Sequence, residues 1–454
     1  MGFIDEEYLL ETETAVELYD AIRDEPILDP HSHVDVEAVA ANEGWADIWE
    51  VEGATDHYVW ELMRKRGVPE EKITGSASNR EKWNALAEVF PEFAGNPTYE
   101  WVHLDLKRRF GIETPISAET ADEIWAETKR QLDSPEMRQR ELLREMNVEV
   151  VSSTDDPTSK LEHHQRIAEE VDDFVVRPTW RPDTATKIDA AGWNDHVDEL
   201  GAAWNADVSD LDGFLAALET SHEYFDDHGC GASDHGLREV VTAPVSERRA
   251  ADVYDRARAG ETLSPDDVTD FRAFLLDRIG ELNRETDWVT QFHIGAVRDY
   301  RDSLYEDLGP DSGGDISTQN VELAENLKHF LNRFDEEMEI VLYTVDPTHF
   351  PEISTIARAF PNVSVGAAWW FNDSPAGMAD QLEYVGTVDL LANYGGMVSD
   401  SRKLMSFDSR FEMFRRSLAN VVGTQVERGQ MPYDVAEDLV SHVAYDRPRN
   451  LWLG

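Results

Sequence analysis

The sequence predicts an α/β protein, a (β/α)8 TIM-type barrel carrying a large helical insertion after its first strand. Two observations carry that expectation. Short β-branched or apolar runs alternate with long helical stretches, the mark of βα units and a parallel sheet. Eight such runs can be traced, the number a barrel requires, and polar or small residues follow them where barrel enzymes place their active sites.

The runs come in order along the chain. The first is Ile27-Leu28-Asp29-Pro30-His31, and the next two are Val148–Ser152 and Phe174–Arg177. A weaker fourth covers Gly229–Ser233; the later ones are Trp288–His293, Ile340–Thr344, Val363–Ala367 and Asn393–Val398. Residues 1–34 therefore read as an N-terminal segment with strand one, and residues 148–454 as the rest of the barrel. Between them, residues 35–147 are rich in helical signals, such as the stretch from Arg80 to Phe90 and Ala121-Asp122-Glu123-Ile124-Trp125. A second helical excursion is expected over residues 245–285, and Gly309–Asp315 reads as a mobile loop.

Composition narrows the function. The chain has 454 residues with 93 Asp+Glu against 41 Lys+Arg, a formal net charge of -52. Such a surface repels phosphate backbones and anionic lipid, so neither nucleic acid nor a membrane is an expected partner. No apolar stretch reaches the roughly 18 residues of a membrane span, and the N-terminus lacks the basic start of a signal peptide. The single cysteine, Cys230, leaves no internal disulfide. A cytoplasmic globular protein is expected. The evenly spread acidity suits a halophile-type protein, because self-repulsion is screened over roughly 3 Å in 1 M salt. In such salt an acidic surface is also compatible with a homo-oligomer.

Polar residues after the strands suggest chemistry. In His31-Ser32-His33 the alternation of an extended chain points both imidazoles to one face, where they can share a divalent metal. Taken alone the pair reads more readily as a surface or core feature, and its position after Pro26-Ile27-Leu28-Asp29-Pro30 is what favours a metal. Ser152–Pro157 carries helix N-cap residue types that also suit a site. Trp180 and Arg181 lie in a proline-framed loop, where an arginine can fork a carboxylate; the bland reading is a surface ion pair. His293 ends the fifth run and by itself reads as a buried structural histidine. Trp369-Trp370-Phe371 reads as core, although aromatic walls also line sugar sites. Asp400 follows the last run, which in a barrel lies beside the first, so Asp400 can meet His31 and His33 at one metal.

Taken together, these segments resemble the amidohydrolase superfamily in plan and the uronate (glucuronate) isomerase family in motif. The resemblance rests on Pro30-His31-Ser32-His33, Asp56-His57-Tyr58-Val59-Trp60, Ser153–Pro157, Trp180-Arg181-Pro182-Asp183, Ser233-Asp234-His235-Gly236, Gln291–Arg298, Trp369–Asp373, Asp400–Phe407 and Phe414-Arg415-Arg416. These stretches follow one another across nearly the whole chain. Two positions depart from the family pattern, Phe411 after Arg410 where the family has His, and Val59 where it has Lys.

The resemblance implies an aldose–ketose isomerase that interconverts D-glucuronate with D-fructuronate and D-galacturonate with D-tagaturonate by metal-assisted proton transfer between C2 and C1. It implies one divalent metal ion, with Zn preferred and Mn or Fe compatible with the donors. His31, His33 and Asp400 are the expected ligands, with His293 a fourth candidate. Asp400, Tyr58, His57 and Arg402 are expected to be catalytic, and Arg181, Arg402, Trp369 and Trp370 to bind substrate. The alternatives are another mononuclear metal-dependent hydrolase or decarboxylase of the superfamily, and a sugar- or metal-binding protein without activity.

Overall fold

In the computed structural model, which describes residues 2–454, nine strands are interleaved with helices. They are β1 (Ile27–Asp29), β2 (Val148–Ser152), β3 (Val175–Arg177), β4 (Ala232–Leu237), β5 (Val289–Ile294), β6 (Ala296–Val297), β7 (Ile316–Ser317), β8 (Ile340–Thr344) and β9 (Val363–Val365). One parallel sheet has the order β1-β2-β3 and a second β4-β5-β8-β9, while β6 and β7 form a small antiparallel pair beside them. Register is set by burial on both faces. Ile340–Thr344 is fully buried along its length and pairs Phe292 with Leu342 and His293 with Tyr343, the continuous apolar run expected of a parallel strand covered on both sides.

Single backbone contacts join the two sheets. The Trp180 N–H donates to the Ala232 carbonyl and the Asp234 N–H to the Trp180 carbonyl, linking the β3 side to β4. On the opposite side the Gly395 N–H donates to Val365, the Asp400 N–H to His31 and the His33 N–H to Ser401. The segment 395–401 therefore lies between β9 and β1, in the eighth position of the ring. It is not the strand expected over Asn393–Val398. A 3-10 turn covers Leu391–Asn393, and Gly396 takes φ +93°, a left-handed conformation that breaks the ladder. The fourth strand also lies later than expected, over Ala232–Leu237 rather than Gly229–Ser233, which puts Asp234 and His235 inside a strand instead of after it.

Between β1 and β2 the chain is helical. The helix His57–Lys65 begins at Asp56, whose carboxylate accepts the Tyr58 N–H at 2.9 Å. Helix Asn79–Val89 opens with a capping box between Ser78 and Glu81, each satisfying the other's free N–H. Trp49, Trp83 and Trp101 are fully buried and join these helices to one continuous core with the barrel. A second apolar core gathers the helices Trp193–Trp204, Leu211–Asp227, Glu247–Arg258 and Pro265–Glu285 around Phe214, Tyr254 and Phe271. Residues 309–315 are fastened rather than loose. Arg64 donates to the Ser312 carbonyl at 2.5 Å, Gly314 to Glu61 at 2.7 Å, and Asp299 to Asp315 at 2.7 Å.

Candidate active site

The strands point their C-terminal ends at one cavity of about 980 Å³, at the upper end of the size expected for a small-molecule site. All ten sequence-expected residues line it: His31, His33, Arg181, His293, Trp369 and Trp370 from the barrel, His57 and Tyr58 from the insertion, and Asp400 and Arg402 from the closing segment.

Two histidines and one carboxylate converge there. His31 Nε2 lies 3.1 Å and His33 Nε2 3.2 Å from the same Asp400 oxygen, Oδ1. A second cluster shares His31: its Nδ1 is 3.3 Å from Asp234 Oδ2, and His293 Nδ1 is 2.6 Å from Asp234 Oδ1. The donor atoms of each triad lie within 4.8 Å of one another. His293 thus belongs with Asp234 and His31, while its Nε2, in a side chain only 1% exposed, has no hydrogen-bond partner. A buried, unpartnered imidazole nitrogen beside a convergent His-His-Asp set is the donor chemistry a divalent cation requires.

The backbone at this point is strained. Asp400 sits at φ +47°, Trp370 at +25° and Phe371 at +64°, conformations that cost a side-chain-bearing residue roughly 1–3 kcal/mol each. The Asp400 and His33 amide bonds across to the opposite segment hold this turn in place, with the Asp400 carboxylate between the two histidines.

Charge is distributed by burial against pairing. Burial works against ionising Asp400, but hydrogen bonds from His31 and His33 outweigh it and keep the carboxyl well below its usual range. Asp234 is held low in the same way, burial being overcome by Arg181, His31 and His293. His31 is opposed by burial, yet Asp234 and then Asp400 raise it to about 10. His293 is driven down to about 4 by burial and by His31, so the two imidazoles on Asp234 are pushed in opposite directions. His57 is neutral, lowered to about 4 by burial and by Arg402.

Arginines flank the His-His-Asp set differently. Arg181 is committed, its Nε 2.9 Å from Asp183 and its Nη1 3.3 Å from Asp234. It packs so closely on Gly236 that a Cβ there would come within 2.1 Å of its Nη2, and the Gly236 N–H donates to both Asp183 oxygens. Arg402 is freer, with Asp311 at 3.8 Å. The aromatic wall is partly occupied by protein: Trp369 meets the His293 ring edge-on at 4.6 Å, and the Arg298 guanidinium lies 4.3 Å over Trp370.

Four residues without an expected role belong to this site. Asp234 was visible as a carboxylate in the fourth strand motif, but only the pairing of β4 with β5 brings it to His293. Asp373 and Arg410 form an ion pair at 2.9 Å beneath Tyr58, whose hydroxyl lies 3.0 Å from Asp373 Oδ2. Lys403 stands three positions after Asp400 and is buried among Glu52, Asp56 and Asp105 at 3.0, 3.1 and 3.8 Å. Its ammonium is held by carboxylates, so although it follows the last strand position it does not point a free amine at the histidines.

Comparison with known proteins identifies the relatives of the chain. The sequence profile of the glucuronate isomerase family matches residues 1–452. The chain is 58% identical to a uronate isomerase of Thermotoga maritima over 100% of both chains, and 35% identical to one of Oceanobacillus iheyensis over 98% of this chain and 96% of the relative. The crystal structure of the Thermotoga maritima uronate isomerase superimposes with a TM-score of 0.98 over the full length of both chains. That of the Caulobacter crescentus glucuronate isomerase, 27% identical, gives 0.95 over 99% of this chain and 97% of that one. With a full-length family match and a (β/α)8 fold bearing a His-His-Asp cluster at its strand ends, the chain belongs to the glucuronate isomerase family.

Proposed function

We propose that this enzyme interconverts aldo- and keto-hexuronates, D-glucuronate with D-fructuronate and D-galacturonate with D-tagaturonate, by moving a proton between C2 and C1. The observation that carries the reading is the convergence of His31, His33 and Asp400 in a cavity that also holds Tyr58, Arg402 and Arg181. Those three ligands would hold one divalent cation, which we take to be zinc, with manganese or iron also compatible. When bound, the ion supplies Lewis-acid polarisation of a substrate oxygen.

The protein's own groups supply the rest. Asp400, kept ionised, is a base for the hydroxyl proton released on ring opening. Tyr58 takes part in the C2 to C1 proton shift. Burial and then Asp373 keep its phenol protonated, well above the usual range. His57, neutral, faces the same space as a hydrogen-bonding partner. Arg402, with one long contact, can fork the uronate carboxylate, and Arg181, fixed by Asp183 and Asp234, sets a permanent positive charge near the developing enediolate. Trp369 and Trp370 form the apolar side on which the sugar lies. His293 orients Asp234 and lines the metal site. We place the enzyme in the cytoplasm; no described helix is long and apolar enough to cross a membrane.

The test is direct. Protein in molar salt is given D-glucuronate or D-galacturonate, with and without a chelator, and ketouronate is measured. Ketose formation lost to the chelator and restored by added metal is expected. Folded, metal-loaded protein that converts neither sugar would overturn the assignment.

A further inference from the structure

The sequence expectations leave Asp373 and Arg410 without a role, and their placement is specific. Tyr58 lines the cavity, whereas Asp373 does not; it lies behind the phenol, only 5% exposed. The Tyr58 hydroxyl is 3.1 Å from Asp373 Oδ1 and 3.0 Å from Oδ2. Arg410 Nη1 donates to Asp373 Oδ2 at 2.9 Å and to the Ser399 carbonyl at 3.2 Å. The guanidinium is 3% exposed and lies 4.0 Å over the buried ring of Trp101. Tyr58 therefore spends its only proton on Asp373. The Phe371 N–H approaches the hydroxyl at 3.4 Å, at the long edge of a hydrogen bond. That leaves an oxygen lone pair for the cavity. A phenol arranged in this way meets substrate as a proton acceptor, and it can accept only if its own proton moves on.

We propose that Tyr58 and Asp373 form a two-step proton relay for the C2 to C1 transfer, with Arg410 as the positioning residue that holds the Asp373 carboxylate. This rests on the isomerase reading given above. In the forward step the C2–H bond breaks, its proton goes to the Tyr58 oxygen, and the Tyr58 O–H proton passes to Asp373. The electron pair of the C–H bond stays on the substrate as the enediolate. In the return step the hydroxyl proton of the enediolate moves from the C2 oxygen to the C1 oxygen, the C2 carbonyl forms as C1 takes a proton from Tyr58 to make the C1–H bond, and Asp373 returns its proton to Tyr58. No net proton, electron or co-reactant is consumed. The relay explains how a tyrosine with a strongly raised pKa serves as a base: it never carries the negative charge, which moves from Asp373 to the substrate. Burial, only partly offset by Arg410, holds the Asp373 carboxyl above its ordinary value, which eases its protonation.

Asp373→Asn is the decisive variant, because the amide donates to the Tyr58 oxygen where the carboxylate accepted from it. The phenol proton then turns toward the cavity and the acceptor is lost. With fold checked by circular dichroism, kcat for the hexuronate that wild type turns over is expected to fall roughly 10²- to 10⁴-fold, the worth of general acid–base help. KM should stay within a few-fold. The Tyr58→Phe/Asp373→Asn double variant should be no slower than the slower single variant, since the two act as one unit. An Asp373→Asn enzyme with wild-type kcat, or losses that multiply in the double variant, would overturn the relay. If Tyr58→Phe is inactive and Asp373→Asn is not, only the relay fails; if wild type converts no hexuronate, the isomerase reading itself fails. Should the Asn variant not fold, wild-type rates with C2-deuterated hexuronate in light and heavy water decide the matter. A solvent isotope effect that persists with the deuterated sugar is expected from two protons in flight, and its absence overturns the relay.

Discussion

Replacing Lys403 with Met tests whether a buried charge cluster sets the geometry of the insertion. The ammonium, 5% exposed, lies 3.0 Å from Glu52, 3.1 Å from Asp56 and 3.8 Å from Asp105, which are themselves 0%, 6% and 1% exposed. Methionine fills a similar volume but leaves three carboxylates without their cation, and breaking a buried ion pair on one side costs about 3–5 kcal/mol. At about 2.1 cal/mol/K per residue, unfolding of a 454-residue chain carries close to 1 kcal/mol per kelvin. The midpoint should therefore drop by about 3–5 °C near pH 8. The loss must depend on pH. Burial raises Glu52 to about 8 and Asp105 to about 6 even with Lys403 present. A carboxyl whose folded pKa is raised stabilises the fold fully below its unfolded value of about 4 and loses that contribution as pH climbs through the folded pKa. Removing the cation raises both folded values further, so the deficit should shrink as the pH is lowered from 8 to 5. Calorimetry at constant molar salt measures this. A midpoint within about 1 °C of wild type at pH 8, or a deficit that grows on acidification, would refute the reasoning.

Other consequences follow from the same geometry. Arg402→Lys should keep the fold yet lose most turnover, because a point charge cannot fork a carboxylate; wild-type rates would remove Arg402 from the mechanism. Gly236→Ala places a methyl within 2.1 Å of the Arg181 Nη2 and 3.1 Å of Asp183, so Arg181 must leave its carboxylates. A destabilisation of about 1–3 kcal/mol by denaturant melting, with a larger fall in kcat/KM than in stability, is expected; unchanged kinetics would show that the Arg181 position is not needed. Acids outnumber bases 93 to 41 over the chain, while they balance in the cavity lining. Raising salt from about 0.1 M to 1 M shortens the screening length from about 10 Å to 3 Å. It should therefore lower KM for an anionic sugar by weakening long-range repulsion more than local attraction. A KM that rises from the first addition of salt would contradict this.

The chain itself dictated much of this protein. Composition placed strands within a residue of Ile27, Val148, Val175, Val289, Ile340 and Val363; an inner one such as Ile340–Thr344 is legible because a strand buried on both faces is apolar along most of its length. The order of motifs, not distance, was enough to put His31, His33 and Asp400 together, since the first and last strands of a barrel are neighbours. The closing segment was legible as an eighth run over Asn393–Val398 but not as what it is: the left-handed Gly396 breaks the ladder, and only the bonds from Gly395, Asp400 and His33 to its neighbours show that it occupies the eighth position without being a strand. Tertiary structure alone decided the partners of the charged groups. Asp234 meets His293 and Arg181 through strand register; Asp373 meets Tyr58 and Arg410 from three separate elements; Lys403 neutralises residues of the insertion more than 290 positions away. A carboxylate looks the same in sequence whether it caps a helix on the surface or receives a proton in the core. What distinguishes them is desolvation and the cation within hydrogen-bond reach, and both are properties of the folded chain.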